Sequence, residues 1–259
     1  MPFTIAHTVA VIPLYKYLGK FGALSALIIG SMTPDFGYLT PFLIDQRVDS
    51  HDLLGIYLYC IPMGLTVYYL YHLLIAPVIV SILPKIIQKH LHPDLFLGRL
   101  PNIPAHTLLI SLILGALTHI FWDFFTHNSG IPQYINWMDT PLTSVDGYDI
   151  MPYRVLQHFS SIFGLSLLVF WIWAWISKRK NLAPSTPLSG KWLAPAYLKK
   201  ITLLVLIIVP TIYGLFSGYI KLPETDVMYG IYSAQVFLRY AIIGAAGAFI
   251  ASSVLLGLL

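Results

Sequence analysis

The feature that most limits this 259-residue chain is a series of long apolar runs, each of the length a helix needs to cross a bilayer. A hydrocarbon core about 30 Å thick takes about 20 helical residues, and a helix satisfies its own backbone polar groups where water is absent. Runs at roughly 53–83, 103–127, 155–177, 201–221 and 236–259 predict five strong spans. Composition agrees. With 57% hydrophobic residues, 10% charged residues and a mean hydropathy of +0.75, the chain is far from a soluble domain, whose charged fraction is about a quarter. The expected fold is all-α, a polytopic membrane helical bundle forming one integral membrane domain over residues 1–259. Pro62 and Pro77 predict a kink or tilt in the first run. No cleavable signal peptide is expected, because the start lacks basic residues and Lys16 and Lys20 interrupt the early apolar stretch. The single Cys60 excludes an internal disulfide and a cysteine metal cluster.

Residues 1–33 allow two readings. Segments 5–15 and 21–33 are each about half a bilayer long and are separated by KYLGKFG, so they form either a half-helix hairpin that enters and returns or one further span, 5–32, bent around Pro13. Lysine and arginine in short loops mark the cytoplasmic side. Loop 178–200, with Lys178, Arg179, Lys180, Lys191, Lys199 and Lys200, is therefore expected in the cytoplasm. Threading from there puts 84–102 inside and 34–52, 128–154 and 222–235 outside, and a hairpin would add Lys16 and Lys20 to the inner set.

The same threading sends Asp35, Asp45, Asp49, Asp52, Asp123, Asp139, Asp146, Asp149, Glu224 and Asp226 to the outer half and leaves Asp94 alone inside. Acids are not counted by the orientation rule, so their asymmetry has its own cause: either outer loops that collect acids, or a cation site on that face. The stretch GALTHIFWDFFTHNSG, residues 115–130, bears on the choice. His119 and Asp123 stand one turn apart on one helix face, as two ligands of one ion would, or as a hydrogen-bonded pair stapling helices together. An ionisable residue within a span is costly and is by default a functional candidate. His127 continues the stripe about 12 Å along the axis from His119, which is too far to share an ion unless the helix unwinds. It suits capping the site or a second ion. Topology brings Asp35, His51, Gln157 and His158 to the same depth, and the hairpin would add His7. Imidazole with carboxylate suits zinc, and manganese or iron less specifically. His72, His90, His92 and His106 are read as packing, solvated or opposite-interface residues.

The order His7, Pro34-Asp35, Ser50-His51, Gly115, Thr118-His119, Asp123, Thr126 and a Gly-Ile-Pro turn at 130–132 resembles the predicted membrane-bound metal-dependent hydrolases of bacteria. The whole chain is still more similar to an uncharacterised bacterial membrane family that begins MPFT-x-x-H and carries Gln-His-x-Ser-Ser, here Gln157, His158, Ser160 and Ser161. Both resemble, distantly and only over residues 7–127, the helical zinc-dependent phospholipase C and P1-type nuclease group. That resemblance implies one zinc held by Asp35, His51, His119 and Asp123. It also implies a second zinc, bridged by the same Asp123 and held by His7. Departures are visible: Gly37 replaces the second acid of Pro-Asp-x-Asp, Gln46 replaces a His, and no Glu follows His158 at the spacing of a third site. One or two zinc ions are therefore expected.

The resemblance implies a membrane-embedded metal-dependent hydrolase of phosphatase or phosphodiesterase type, acting on a phosphoester, lipid-linked by analogy, in the bacterial plasma (inner) membrane with its site extracytoplasmic. Zinc would lower the pKa of a bound water towards ~7 and stabilise the developing oxyanion. His127 or His158 would shuttle a proton, and Arg47 or Arg154 would clamp phosphate. The competing class is a non-catalytic multi-span subunit or scaffold whose His/Asp cluster is structural. Membrane lipids are the expected partners, with no protein partner specified. A nucleic-acid role is not expected despite a pI near 9.0, because the basic residues follow orientation and form no aromatic-interleaved patch.

Overall fold

The computed structural model describes residues 4–38, 50–82, 100–145, 148–179, 196–220 and most of 237–252. The chain is mostly helical and divides into two compact units. One comprises Met1–Gly37, Asp45–Tyr68 and Asn102–Leu182, and the other Tyr38–Ile44, Tyr69–Pro101 and Ala183–Leu259.

The first unit opens with a 3-10 turn, Thr4–His7, that runs into α1, Thr8–Leu18. The chain then reverses at Gly19, whose φ of +53° is a conformation that glycine adopts without steric cost, and returns as α2, Leu24–Gly30. A 3-10 segment, Thr33–Tyr38, follows. The reversal decides between the two readings of the N-terminus. Thr4 Oγ1 donates to Asp35 Oδ2 at 2.6 Å, whereas a continuous helix would hold residues 31 apart about 46 Å from one another. The segment is a hairpin.

Three helices among the described residues are long and apolar enough to cross a membrane. The first, α3, covers Leu53–Val80 and contains two single-turn π segments, Ile56–Cys60 and Tyr71–Ile75. It starts where the Asp52 carboxylate accepts the Gly55 N–H, an N-cap. The second, α4, is Ala105–Thr126, uninterrupted by proline or a buried break and flanked by Pro104. The third, α5, is Pro152–Arg179, with proline at the first helical position, where its missing N–H costs nothing. The predicted spans 201–221 and 236–259 correspond to shorter apolar helices, Leu204–Tyr219 within α6 (Ala196–Ile220) and Tyr240–Phe249. A two-stranded antiparallel hairpin, β1 (Thr143–Val145) with β2 (Tyr148–Ile150), lies between α4 and α5 and was not foreseen in an all-helical reading.

The packing that positions the site is the crossing of α2 and α4. Gly30 lies against the backbone of Leu112, and Gly115 lies against the Leu27 carbonyl and Ser31 nitrogen, so neither has room for a Cβ. Two helices bearing glycine at the point of closest approach can bring their backbones together, as small residues do in membrane bundles. Ser111 Oγ accepts the Ala23 N–H at 3.0 Å and closes the polar gap at the hairpin turn. On the other side, Gly164 of α5 packs on Ala6 and seats the Thr4–His7 turn.

In the second unit, the segment Ala76–Ile82 packs on α6, whose Gly214 and Gly218 lie against Ala241 and Phe237.

Candidate metal centre

All described elements of the site belong to the first unit. The hairpin carries His7 at the start of α1 and Asp35 beyond the end of α2. The segment before α3 supplies His51, and the last two turns of α4 supply His119 and Asp123. Burial is deep: His119 is 0% exposed, His7 1%, Asp35 5% and Asp123 7%. The helix ends at Thr126, and His127 adopts extended backbone, φ −109°, ψ 148°. That break folds the His127 ring back towards Asp123 instead of continuing the stripe outward.

The separations have a common scale. His119 Nε2 is 3.2 Å from Asp123 Oδ2 and 3.7 Å from Asp35 Oδ1; His51 Nε2 is 3.6 Å from Asp35 Oδ1 and 3.7 Å from Asp123 Oδ2. On the far side of the same carboxylate, Asp123 Oδ1 is 3.5 Å from His7 Nε2 and 3.4 Å from His127 Nδ1. All but the shortest exceed the usual N–H···O range of about 2.7–3.2 Å. Ligand bonds of about 2.0–2.2 Å around a tetrahedral ion put neighbouring donor atoms about 3.3–3.6 Å apart, which is the spacing found. Two overlapping triads, Asp35/His51/His119 and His7/His119/Asp123, have all donor atoms within 4.8 Å of one another and could each hold a metal ion.

Hydrogen bonds around the cluster assign the imidazole protons. His119 Nδ1 is 2.8 Å from the Ser31 carbonyl, an acceptor, so Nδ1 carries a proton, and in the neutral ring Nε2 turns its lone pair to the carboxylates. Ser50 Oγ gives its one proton to the Pro34 carbonyl at 2.8 Å, so at 3.1 Å it accepts from His51 Nδ1, which likewise turns the His51 Nε2 lone pair inward. Cys60 Sγ donates to the Ser50 carbonyl and ties this loop to the first turns of α3. Thr4 holds Asp35 by its Oδ2 and leaves Oδ1 for the cluster. In the neutral rings, lone pairs therefore face carboxylate oxygens across a buried space, and among the described residues His119 Nε2, Asp123 Oδ1 and both His7 nitrogens lack a hydrogen-bond partner. Such an arrangement is repulsive unless a proton or cation lies between the groups.

His7 and Asp35 lie in the N-terminal hairpin, outside the three long helices. Burial alone would raise the Asp35 carboxyl, but its neighbours His51, His119 and Thr4 hold it below the usual carboxylate value. Burial pushes His7 down to about 4, so it is neutral and offers a lone pair.

The other expected residues fall differently. Gln157 is buried and its amide nitrogen is 2.7 Å from His127 Nε2. His158, one residue further on α5, is exposed, since successive helical residues point about 100° apart. Arg154 lies one turn before, half-buried, with its guanidinium 5.9 Å from the Tyr153 ring. Arg47 lies outside the described residues. The residues that orient the ligands, Thr4, Ser50 and the Ser31 carbonyl, were not assigned roles from sequence. Thr4 and Ser50 stand in the motifs, but a carbonyl has no sequence signature.

Three bilayer-length apolar helices and a buried carboxylate–imidazole cluster define the class: a helical membrane protein with groups that could bind a metal. The chain belongs to the DUF4184 family, a domain of unknown function, whose family model matches residues 1–258 and so covers both units. No curated protein and no solved structure matches it.

Proposed function

We propose that this protein is a membrane-embedded, zinc-dependent hydrolase that acts on the phosphoester of a lipid or lipid-linked substrate at the outer membrane face. One observation carries the reading. The imidazoles of His51 and His119 each have Nδ1 tied to a fixed acceptor and Nε2 aimed at the oxygens of Asp35 and Asp123. Four donors so oriented would hold one ion, and His7 with Asp123 Oδ1 would offer a place for a second. A bound zinc would supply Lewis acidity and lower the pKa of a coordinated water. His51 and His127 are the partly exposed members of the cluster, so substrate would approach from their side. Arg154 would offer its planar fork to a phosphate.

A lipid-linked substrate is supported by position. Phe121, Phe124 and Phe125 are exposed on the same turns of α4 that carry Asp123, so the outer flank of the site is apolar at the level of the chemistry. In the five-span threading this level is the extracytoplasmic end. The test is zinc content of the purified full chain: one ion or more per chain in the wild type, lost in His119→Ala and Asp123→Ala, is the expected result. A metal-free wild type of full stability would overturn the reading. Phosphate release from a panel of phospholipids and polyprenyl phosphates then separates a hydrolase from a metal-stabilised scaffold.

A further inference from the structure

His127 differs from the other imidazoles of the cluster in where its proton lies. Its Nδ1 is surrounded by oxygens: the Asp123 carbonyl at 3.3 Å, Thr126 Oγ1 at 3.3 Å and Asp123 Oδ1 at 3.4 Å. Thr126 gives its own proton to the Trp122 carbonyl, so it meets Nδ1 as an acceptor. A lone pair on Nδ1 would face three oxygens, whereas a proton there is accepted by the Asp123 carbonyl. The opposite nitrogen gives the same answer independently, because Nε2 is 2.7 Å from the amide nitrogen of Gln157, a donor, and therefore carries the lone pair. Gln157 is in turn buried and its helix turn is tightened by Ser160 and Ser161, whose hydroxyls both donate to its carbonyl at 2.9 Å.

We propose that Gln157 and His127 form a positioning relay: the Gln157 amide fixes the His127 tautomer, and the Nδ1–H of His127, bonded to the Asp123 backbone carbonyl, turns its positive edge towards the Asp123 carboxylate 3.4 Å away. His127 is then neither a metal ligand nor a proton shuttle, since both of its nitrogens are committed. Groups that orient a ligand from behind in this way are worth roughly 10–100-fold in metal affinity. The proposal rests on the reading of the cluster as a metal centre.

The test compares zinc affinity, by chelator competition on the full chain in nanodiscs, across four variants whose folding is checked by thermal melting. Asn places an amide N–H near the position of His Nδ1–H, so His127→Asn should bind zinc within about threefold of wild type. His127→Phe, which keeps bulk and removes the donor, should lose roughly 10–100-fold, and Gln157→Leu should lose affinity in the same direction. Gln157→Glu is decisive in sign. A carboxylate there demands Nε2–H, turns the Nδ1 lone pair towards Asp123 and should weaken binding. Zinc binding strengthened by Gln157→Glu, or lost equally in His127→Asn and His127→Phe, would make His127 a ligand and overturn the relay. Unchanged binding in His127→Phe would make it packing and overturn it too. A wild type that binds one ion with these variants out of order sinks only this inference, whereas a wild type that binds none sinks the metal centre with it.

Discussion

At the scale of single residues, the cluster consists of ligand candidates and the small groups that aim them. Thr4→Val removes the hydroxyl that occupies Asp35 Oδ2, and Ser50→Ala removes the acceptor of His51 Nδ1–H. Each should lower zinc affinity roughly 10–100-fold without changing the number of ions held at saturation, as measured by chelator competition and by metal analysis at excess zinc. The His119–Asp123 pair was legible in sequence because a one-turn spacing places two side chains on one face whatever the tertiary fold. Its orienting partners were not, because Ser31 reaches His119 from a position 88 residues away in sequence and through its backbone. Gln157 and His158 could not be told apart as neighbours in a line of text; burial chose the first.

At the scale of elements, the α2–α4 crossing sets the register of the cluster. His119 lies one turn beyond Gly115, and the carbonyl it bonds lies one residue beyond Gly30. A methyl group at Gly115 meets the Leu27 carbonyl and, at 2.7 Å, the Ser31 nitrogen. Gly115→Ala should therefore force the helices apart and destabilise the fold by about 1–3 kcal/mol, seen as a lower melting temperature. It should also weaken zinc binding, by drawing the Ser31 carbonyl off His119. Hydropathy found the three bilayer-length helices, since length and apolarity are local properties. The hairpin stayed open on pattern alone, because Pro13 and the glycines at 19 and 22 break a helix without saying which way the chain leaves. The Thr4–Asp35 bond settles it, and only the folded chain contains that bond.

At the scale of the whole molecule, an ion shared by the hairpin, the His51 segment and α4 would tie distant parts of the first unit together. Ligand binding at about 1,000 times its dissociation constant stabilises a fold by about 4 kcal/mol. A chelator should accordingly lower the melting temperature of the wild type, while Asp123→Ala melts lower from the start and does not respond to the chelator. Cysteine labelling from either side tests the orientation: positions in 178–200 should react from the cytoplasm, and positions beside His51 from the opposite face. The hairpin also has a consequence in time. His7 leaves the ribosome 116 residues before Asp123, which at about 5–20 residues per second is a wait of roughly 6–23 s. During that interval its buried imidazole has neither its carboxylate nor its stacking partner His119. Any ion bound by the whole cluster would therefore have to wait until Asp123 has been made.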